Sequence, residues 1–441
     1  MGEGKMLNFF KSQGINQYNI ISYIKYKLRK MWVKRKLCSL ERTGYDYTKY
    51  NESFMKKILG YAQKHVPYYQ KKHFNNLKEF PIVGKEDIRG KELMFQSDRK
   101  KYLVHKKLTT GGSTGEPFGF LISPQFDDVF QEFLWKLYDY KEGDTILAVS
   151  GFEVSQDKQD KHIYWEKVSD KQIPYGGIRM SSIYLNAHTY QYYYEYLGEL
   201  QPDFIRGYPS AVYSLAAWML EHNRKAEFPM KGIQLTSESV FEYQISAIEE
   251  AFNTKVFMQY GHTEACVFGY TYDESHCYRI APLYGYVEVL DANGEQVGAG
   301  EVGEIVVTSY TNFVQPFIRY RTGDLAKYRG NRNGIVELES IYGRTQDFVY
   351  NYKKEKVLLT AIIFGLHYKA FNHIIRWQLE QKEYGKVIAY IVPTSDWTQS
   401  DEKEIEEVFR EQVGMDVEFR YVETLSLTKR GKLSFLIQRI K

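Results

Sequence analysis

A run of glycines and hydroxyl side chains near residue 110 is the clearest chemical signal in the sequence. Glycine lacks a Cβ, so backbone amides in such a run can approach an anion closely, and neighbouring hydroxyls add hydrogen bonds. The run consists of Thr109, Thr110, Gly111, Gly112, Ser113, Thr114 and Gly115. It favours a loop that wraps phosphate oxygens, although an ordinary surface turn has the same composition. It is not a P-loop, because no Gly-Lys-Ser/Thr follows.

The same run also fits the nucleophile pattern G-x-S-x-G, with Ser113 at its centre. In that pattern a helix follows the serine at once, whereas Pro117 and the apolar Phe118–Leu121 indicate a strand here. A hydrolase or acyltransferase that uses Ser113 is therefore the weaker interpretation.

A second cluster directly follows a predicted strand. It consists of Tyr260, Gly261, His262, Thr263 and Glu264. An aromatic ring at a strand end can stack on a purine, and a carboxylate four residues later can bind Mg²⁺ beside a triphosphate. We interpret His262 as a packed or hydrogen-bonded histidine and Cys266 as a small buried hydrophobe.

Three further signals lie towards the C-terminus. Asp324 follows a Thr-Gly turn and suits hydrogen bonding to vicinal hydroxyls. Arg344 presents a guanidinium fork for hydroxyl or phosphate oxygens, and Lys432 follows a glycine in a terminal loop. Taken singly, each signal is also typical of an ordinary turn or a solvated side chain.

The elements that must position these residues follow two patterns. From about 145 to 260 apolar strands alternate with helices, which predicts a parallel α/β sheet with ligands at the carboxyl ends of its strands. The predicted strands are Thr145–Val149, Ile233–Thr236 and Val256–Tyr260, and the predicted helices are Pro209–His222 and Phe241–Phe252. From about 284 to 343 the chain is mainly β, with strands Tyr286–Leu290, Glu304–Ser309 and Gly334–Ile341 and a turn at Asn293-Gly294.

The last hundred residues predict a small α+β domain. Its elements are a helix at Thr360–Asn372, paired strands at Ile374–Glu380 and Lys386–Val392, a helix at Asp401–Val413 begun by Ser400, and a strand at Val417–Val422. The sequence therefore divides into residues 1–343, of which the first 100 form a helical N-terminal region, and residues 344–441.

Composition bounds the function. With 441 residues, 43% hydrophobic and 26% charged, the chain is globular and long enough for two or three domains. A net charge of +4 does not indicate a nucleic-acid partner. The three cysteines lack metal-ligand spacing, and no apolar run reaches the ~18–20 residues of a membrane span. The start of the sequence has no apolar core of the signal-peptide kind. These features predict a cytoplasmic protein.

The stretch from residue 20 to residue 36 has a separate pattern. Apolar residues recur at helical spacing, and seven basic residues lie among them. The apolar residues are Ile20, Ile24, Leu28, Met31 and Trp32. Such a basic helix suits an anionic membrane or an acidic partner, or it packs on its own domain with solvated lysines.

The order and spacing of the chemical signals resemble those of the adenylate-forming superfamily. A hydroxyl-rich glycine loop, Y-G-x-T-E, T-G-D, G-R-x-x-D and a terminal G-K follow one another as in that family. The sequence is similar in particular to the phenylacetate–CoA ligase branch and its CapK-type relatives from capsule-polysaccharide loci. Segments His65–Tyr69, Phe80–Arg89, Gly303–Thr308 and Pro316–Asp324 support this, and the resemblance covers about residues 50 to 441.

The resemblance implies a large N-terminal adenylation domain with parallel sheets and a β-rich subdomain, followed by a small mobile C-terminal lid. It implies ATP and Mg²⁺ as cofactors, a small carboxylic acid as substrate, and CoA, a carrier or an amine as acyl acceptor. The amine could be an amino sugar used in capsule biosynthesis. A nucleotide-binding relative without catalysis is the third class of function, which an intact Lys432 and Glu264 argue against.

The resemblance also assigns roles to residues. The loop Thr109–Gly115 would steady the β,γ-phosphates, Glu264 would bind Mg²⁺, and Lys432 would bridge the carboxylate and α-phosphate oxygens. The nucleoside would contact Ser237, Glu238, Ser239 and Tyr260 at the adenine, and Asp324 and Arg344 at the ribose. The sequence departs from the family at Glu116 and Gln346, where a loop lysine and a hinge aspartate are common. It has Arg329–Gly334 in place of a cysteine segment, so no structural metal is expected.

Overall fold

The computed structural model describes residues 19–39, 45–71, 73–109, 118–344, 348–359, 369–428 and 431–440. The glycine-rich loop from Thr110 to Pro117, the residues Thr345–Asp347 and most of the predicted helix Thr360–Asn372 lie outside these residues. Among the helices of the described chain, none combines the length and apolar character that crossing a bilayer requires.

The described α-helices are short except for two near the N-terminus. They are α1 (Ile20–Leu37), α2 (Thr48–His65), α3 (Pro67–Gln70), α4 (Lys85–Ile88), α5 (Glu92–Phe95), α6 (Asp127–Leu137), α7 (Gln156–Gln159), α8 (Tyr190–Leu200), α9 (Pro209–Glu221), α10 (Glu242–Phe252) and α11 (Gln399–Val408).

The strands begin after the helical N-terminal segment and continue to the end of the chain. The first ten are β1 (Lys106–Thr109), β2 (Gly119–Ile122), β3 (Ile146–Ser150), β4 (Trp165–Lys167), β5 (Ile178–Ser181), β6 (Phe204–Gly207), β7 (Gly232–Thr236), β8 (Val256–Gly261), β9 (Phe268–Tyr270) and β10 (Tyr278–Ile280). The remaining ten are β11 (Gly285–Leu290), β12 (Val302–Ser309), β13 (Tyr320–Arg332), β14 (Ile335–Arg344), β15 (Phe348–Tyr350), β16 (Lys356–Leu358), β17 (Ile374–Glu383), β18 (Lys386–Pro393), β19 (Asp416–Tyr421) and β20 (Leu436–Gln438).

The chain forms two compact units, and each unit is built from three separate stretches of the sequence. Unit 1 contains the described residues of Met1–Leu137, Tyr260–Thr271 and Ser275–Ile341. Unit 2 contains those of Tyr138–Gln259, Tyr272–Glu274 and Tyr342–Lys441.

In unit 1 an antiparallel sheet runs in the order β11-β12-β13-β14-β10-β9. Helices α2 and α3 pack on it through a core that includes Ile58, Ala62, Tyr69, Tyr310 and Ile318. The connection from β13 to β14 is a two-residue turn at Asn333 and Gly334, both with positive φ (54° and 77°). Asn-Gly favours such a turn, since both residues adopt positive φ at low cost.

In unit 2 a sheet runs in the order β8-β7-β6-β3-β5-β4. All its pairings are parallel except the β4–β5 pairing at the edge. Every residue of the central strand β7 is buried, as expected for a parallel strand covered on both faces. The parallel α/β sheet predicted from the alternating pattern is therefore present.

The C-terminal part of unit 2 has a second sheet, in the order β19-β18-β17-β20. Strands β17 and β18 form the predicted antiparallel pair around a turn with Gly385 at φ 74°. Their apolar faces pack on α11, with Trp377, Leu379, Ile391 and Phe409 in the shared core. The α/β fold class with a small α+β C-terminal region is confirmed.

Two local predictions were wrong. Helix α11 begins at Gln399, because Thr398 and not Ser400 is the N-cap: the Thr398 hydroxyl accepts from the backbone N–H of Ser400, and Asp401 accepts from the backbone N–H of Thr398 at 2.7 Å. The helix also ends at Val408 and continues as a wider π-turn to Val413.

Candidate active site

Tyr260 and Asp324 are brought together in unit 1. Tyr260 lies near the end of β8 and Asp324 lies within β13. The Tyr260 hydroxyl donates a hydrogen bond to Asp324 Oδ2 at 2.6 Å. Two residues predicted to contact one nucleoside thus touch each other, although they come from separate stretches of sequence.

Asp324 is presented by a bulge in β13, not by the expected tight turn. Strand β12 pairs Glu304 with Leu325 and Val306 with Arg321, so Ile305 alone faces the three residues Thr322–Asp324. Gly323 has φ 80°, a conformation that glycine adopts without strain. The Thr322 hydroxyl donates to the Ile305 carbonyl at 2.9 Å and accepts from the Asp324 backbone N–H at 3.0 Å. These contacts fix the direction of the Asp324 side chain.

Glu264 lies at the centre of a buried polar cluster in unit 1. The residue is 3% exposed. Lys85 Nζ lies 3.7 Å from Oε1 and His262 Nδ1 lies 3.2 Å from Oε2. The buried Tyr320 hydroxyl donates to Oε1 at 3.0 Å. A carboxylate so deeply buried is tolerated because the Lys85 cation and the Tyr320 hydroxyl donor lie beside it.

The charge state of Glu264 follows from these partners. Burial alone would raise the pKa of its carboxyl, but the neighbouring His262 ring and the charge of Lys85 outweigh burial and lower the pKa to about 2. Burial, followed by the adjacent Glu264 charge, raises the pKa of Tyr320 far above its ordinary value, so its hydroxyl keeps its proton. Glu264 is therefore an anion at any physiological pH.

Lys85 reaches Glu264 because an N-terminal segment pairs with the start of β13. The Val83 backbone N–H donates to the Arg319 carbonyl at 3.0 Å, and the Arg321 N–H donates to the Val83 carbonyl at 2.9 Å. Asp87 then caps α4 by accepting from the Gly84 N–H at 2.7 Å. Lys85 is the first residue of that helix.

The buried Arg319 fixes the same segment from the other side. It forms an ion pair with Glu288 at 3.1 Å, and its guanidinium donates to the Lys78 carbonyl at 2.9 Å and the Phe80 carbonyl at 3.3 Å. The cluster around Glu264 is thus held by backbone pairing and by a buried ion pair.

The residues around Glu264 fit a magnesium ion that is shared with a polyphosphate. Mg²⁺ prefers oxygen ligands and typically takes one or two carboxylates together with phosphates and waters. Glu264 supplies one ionised carboxylate, and both ring nitrogens of His262 beside it are buried without a hydrogen-bond partner in the described structure. Among the described residues, no group of three His, Cys, Asp or Glu side chains could hold a metal by itself.

Unit 2 brings together Lys432 and the predicted adenine-flanking residues. Lys432 Nζ donates to the Ser237 carbonyl at 3.3 Å and lies 5.4 Å from the centre of the Tyr208 ring. The Leu433 backbone N–H donates to Glu238 Oε1 at 2.9 Å, and the Ser210 N–H donates to Glu238 Oε2 at 3.0 Å. Glu238 therefore joins the terminal loop to the start of α9.

The carboxyl of Glu238 is held in an unfavourable buried environment, and the backbone of Ser237 is held in an unfavourable conformation. Burial raises the pKa of the Glu238 carboxyl, although its two backbone donors and the charge of Lys432 act in the opposite direction. Ser237 has φ 75°, which is uncommon for a residue other than glycine. Such strain is often found at binding sites.

The remaining predicted residues are less fully described. Thr109 is the last residue of β1 and pairs with Gly119 of β2, so the glycine-rich loop connects these two strands. Gly261, Thr263 and Ser239 are exposed. Arg344 is the last residue of β14. The glycine loop, including Thr110, Gly111, Gly112, Ser113, Thr114 and Gly115, lies outside the described residues. The described chain resumes in the predicted strand, β2, and not in the helix that a Ser113 nucleophile would need.

Arg206 is the clearest polar residue at the carboxyl end of the parallel sheet. Its Nε donates to Gln234 Oε1 at 3.0 Å, and its guanidinium lies 5.4 Å from the centre of the Tyr175 ring. Burial lowers the pKa of Arg206, which nevertheless remains charged. Parallel α/β sheets bind ligands at this end of their strands.

Sequence reasoning missed two residues of the Glu264 cluster, Lys85 and Tyr320. Both lie in segments that carry the family resemblance, Phe80–Arg89 and Pro316–Asp324. The signal was therefore present, but no sequence pattern indicates that these segments meet at Glu264.

The fold of the chain is similar to that of solved CoA ligases and acyl acid amido synthetases. The chain is similar to the solved structure of a 2-hydroxyisobutyryl-CoA ligase bound to 2-HIB-AMP, with a TM-score of 0.64, 17% identity and coverage of 89% of this chain and 90% of that one. It is also similar to the GH3.15 acyl acid amido synthetase, with a TM-score of 0.56, 17% identity and 88% coverage of each chain.

The chain is also similar to CapK. Residues 351–439 match the family of the CapK C-terminal domain. Over 416 residues the chain is 25% identical to protein CapK of Staphylococcus aureus, covering 90% of this chain and 87% of that protein. The resemblance to adenylate-forming enzymes and to their CapK-type branch is confirmed.

Proposed function

We propose that the protein is an AMP-forming acid ligase. In the first step a carboxylate oxygen of the acid attacks the α-phosphorus of ATP, the bond to the bridging oxygen breaks, and pyrophosphate leaves. In the second step a thiol or an amine attacks the acyl carbon, gives up its proton, and AMP leaves. The observation that carries the proposal is the buried Glu264, kept ionised four residues from a Tyr260 that hydrogen-bonds Asp324.

The nucleotide would lie along the segment that ends β8. Tyr260 offers an aromatic face for adenine, and its hydroxyl orients the Asp324 carboxylate towards the ribose hydroxyls. The loop after Thr109 would wrap the β,γ-phosphates with backbone amides, and Arg344 would add a donor at the ribose. The roles of Tyr260 and Asp324 are supported by their contact within unit 1. The roles of the loop and of Arg344 are supported by the resemblance in sequence.

Glu264 would hold a magnesium ion at the phosphates. Bound there, the ion would neutralise charge on the polyphosphate and favour pyrophosphate as a leaving group. The chain contributes a carboxylate that cannot be protonated at working pH, and Tyr320 keeps it oriented. Lys85 balances that carboxylate, and we propose that it moves towards phosphate oxygens when nucleotide binds.

Lys432 would complete the first step. Attack of a carboxylate on a phosphate brings two anions together, and an ammonium placed between them stabilises the charge of the transition state. We propose that residues 344–441 form a lid that carries Lys432 to the site and then rotates for acyl transfer. That rotation requires the hydrogen bonds from Arg376 to Ser214 and from Tyr213 to the Ile374 carbonyl to exchange.

The acid would bind at the carboxyl end of the parallel sheet. Arg206 supplies a buried charge there, and segments Tyr138–Phe152 and Ser237–Phe241 would line the pocket. An acid with a second anionic or carbonyl oxygen suits a guanidinium whose Nε is already held by Gln234. Because the reaction uses ATP, we propose that the enzyme works in the cytoplasm.

An amide ligase that uses an amino sugar in capsule biosynthesis is the second candidate. It is favoured by the similarity to CapK along most of the chain and by the likeness to an acyl acid amido synthetase. The first chemical step is the same for both candidates, so only the acceptor distinguishes them.

The test is carboxylate-dependent exchange of pyrophosphate into ATP across a panel of acids. Exchange that needs both an acid and Mg²⁺ supports the proposal. If none of the acids in the panel supports exchange, the proposal is contradicted. Acids that pass are then incubated with CoA or amino sugars, and the thioester or amide is detected by mass. A Ser113→Ala variant should keep full exchange; loss of exchange would favour the serine nucleophile.

A further inference from the structure

Helix α1 exposes a continuous row of large aliphatic side chains. We call this row the apolar stripe, and its members are between 41% and 65% exposed. They are Ile20, Ile21, Ile24, Leu28 and Met31. Spacings of three and four residues put Ile20, Ile24, Leu28 and Met31 on one face of the helix. A single exposed leucine is ordinary, but five large apolar side chains exposed on one helix, four of them along one face, mark a binding surface.

The apolar stripe is not the face by which α1 packs on its own unit. Val33 and Leu37 on the opposite face are fully buried. From that side Tyr26 donates to the Gln125 carbonyl at 3.2 Å and Arg29 donates to the Tyr310 carbonyl at 3.1 Å. The helix therefore has two apolar faces, one packed and one exposed.

Ion pairs with α6 fix the orientation of α1. Lys30 pairs with Asp128, and Lys34 pairs with Glu132 at 2.7 Å. These two pairs hold successive turns in the C-terminal half of the helix. The apolar stripe therefore faces outwards in a fixed orientation.

Cations border the apolar stripe. Residues 20–37 include seven lysines and arginines and no acidic residue. Lys25, Lys27 and Arg35 are exposed on or beside the outer face.

We propose that the apolar stripe docks the protein on the surface of an anionic lipid bilayer. Aliphatic side chains would enter the region between headgroups and acyl chains, with the flanking cations at the level of the lipid phosphates. A convex helix ridge with charge at its margins suits a soft planar interface, whereas a protein partner would have to provide a long acidic groove. The proposal does not depend on the proposed reaction. It would place that reaction at the membrane surface.

The experiment is co-sedimentation of the full chain with two kinds of vesicle, phosphatidylcholine alone and phosphatidylcholine with added phosphatidylserine. The wild-type protein is expected to sediment with the anionic vesicles and to be released by high salt. Leu28→Glu and Ile24→Glu are expected to weaken binding about tenfold or more, since each places a charge in the apolar region. The double variant Lys25→Glu/Lys27→Glu is expected to lose the preference for phosphatidylserine.

Matched controls separate this surface from general changes. Leu93, which is 72% exposed, provides the control Leu93→Glu on the same unit. Lys171→Glu/Lys403→Glu makes the same charge change at exposed lysines of unit 2. Both controls should bind like the wild type, and all variants should keep the wild-type thermal midpoint, since the altered side chains point outwards. Leu28→Ser repeats the test without a new charge.

Three results would overturn the proposal. These are no binding to anionic vesicles, equal binding to phosphatidylcholine alone, or wild-type binding by Leu28→Glu. A concentration-dependent dimer that Leu28→Glu abolishes, without vesicle binding, would assign the apolar stripe to a second copy of the chain.

Discussion

Glu264 in unit 1 and Lys432 in unit 2 are held in opposite ways. Glu264 is buried, ionised, and surrounded by Lys85, His262 and Tyr320. Lys432 is half-exposed and donates to a neutral backbone carbonyl, that of Ser237. The negative charge is thus fixed by its unit, whereas the positive charge is held by a contact that can exchange. The proposed reaction has two successive half-reactions and would use this difference, because Lys432 would have to leave after the first step while the proposed metal site stays in place.

Lys432→Ala should have the largest effect on activity. We expect pyrophosphate exchange to fall about 10²–10³-fold, since an ammonium at the developing charge is worth about 3–4 kcal/mol. The thermal midpoint should be unchanged, because the lysine contributes little to packing. Lys171→Ala, at an exposed lysine of the same unit, is the control. A variant that retains full exchange would remove Lys432 from the first step.

Glu264→Gln should affect both activity and stability. The amide cannot balance Lys85 and His262, and removing one partner of a buried ion pair costs about 3–5 kcal/mol. We expect urea unfolding to shift accordingly and the Mg²⁺ concentration for half-maximal exchange to rise about tenfold or more. Glu52→Gln on the exposed side of α2 is the control. An unchanged Mg²⁺ dependence would mean that the metal binds elsewhere.

The stability that Glu264 supplies should depend on pH in a defined window. Its pKa is about 2 in the folded protein, against about 4.3 in an unfolded chain. A depressed pKa stabilises the fold above the unfolded value, and this stability is lost as pH falls through the folded value. The difference in free energy of unfolding between wild type and Glu264→Gln should therefore be constant from about pH 6 to pH 5. It should shrink by up to about 3 kcal/mol at lower pH. A gap that widens in acid would contradict an ionised Glu264.

Glu238→Gln should loosen the terminal loop. Its carboxylate accepts from the backbone N–H groups of Ser210 and Leu433, and charge-assisted hydrogen bonds of this kind are worth about 1.5–3 kcal/mol. We expect about tenfold faster hydrogen exchange at the Leu433 amide, with adenylation changed by a smaller factor. Glu242→Gln, nearby on α10, controls for the loss of charge. Unchanged exchange at Leu433 would show that other contacts hold the loop.

Tyr260→Phe should have the smallest effect. It keeps the ring for stacking and removes only the hydroxyl that orients Asp324. We expect the KM for ATP to rise about fivefold, the equivalent of about 1 kcal/mol for one hydrogen bond. Tyr260→Ala removes the ring as well and should raise it further. Equal effects in the two variants would mean that the ring does not contact the nucleotide.

The sequence predicted three of the parallel strands, β3, β7 and β8, because their pattern is local, and it did not predict β5 and β6. Strand β7 is a continuous buried run and α9 begins at Pro209, so both can be recognised without knowing their neighbours. The turn at Asn333-Gly334 was missed as a turn, although the Asn-Gly rule applied at Asn293-Gly294 would have found it. At Asn293-Gly294 the chain does turn, with Gly294 at φ 81°, but the next strand, β12, begins only at Val302.

The features that sequence reasoning could not reach depend on distant partners. The bulge at Thr322–Asp324 exists only relative to Ile305 on the next strand. Lys85 meets Glu264 because Val83 pairs with the start of β13, a register that no local pattern encodes. The same limit explains why the residue types of the site could be predicted, while its electrostatics could not.

The bulge restricts how this stretch can change length in evolution. Between the two pairs that flank it, β13 advances four residues while β12 advances two. Both advances are even, so side chains on either side of the bulge keep to the same faces of the sheet. Loss of one residue there would turn every later side chain of β13 to the opposite face, whereas loss of two would give a plain strand and withdraw Asp324 from its present direction. Relatives should therefore keep the number of residues in this bulge. Those that lose two residues should also lose the position of Asp324.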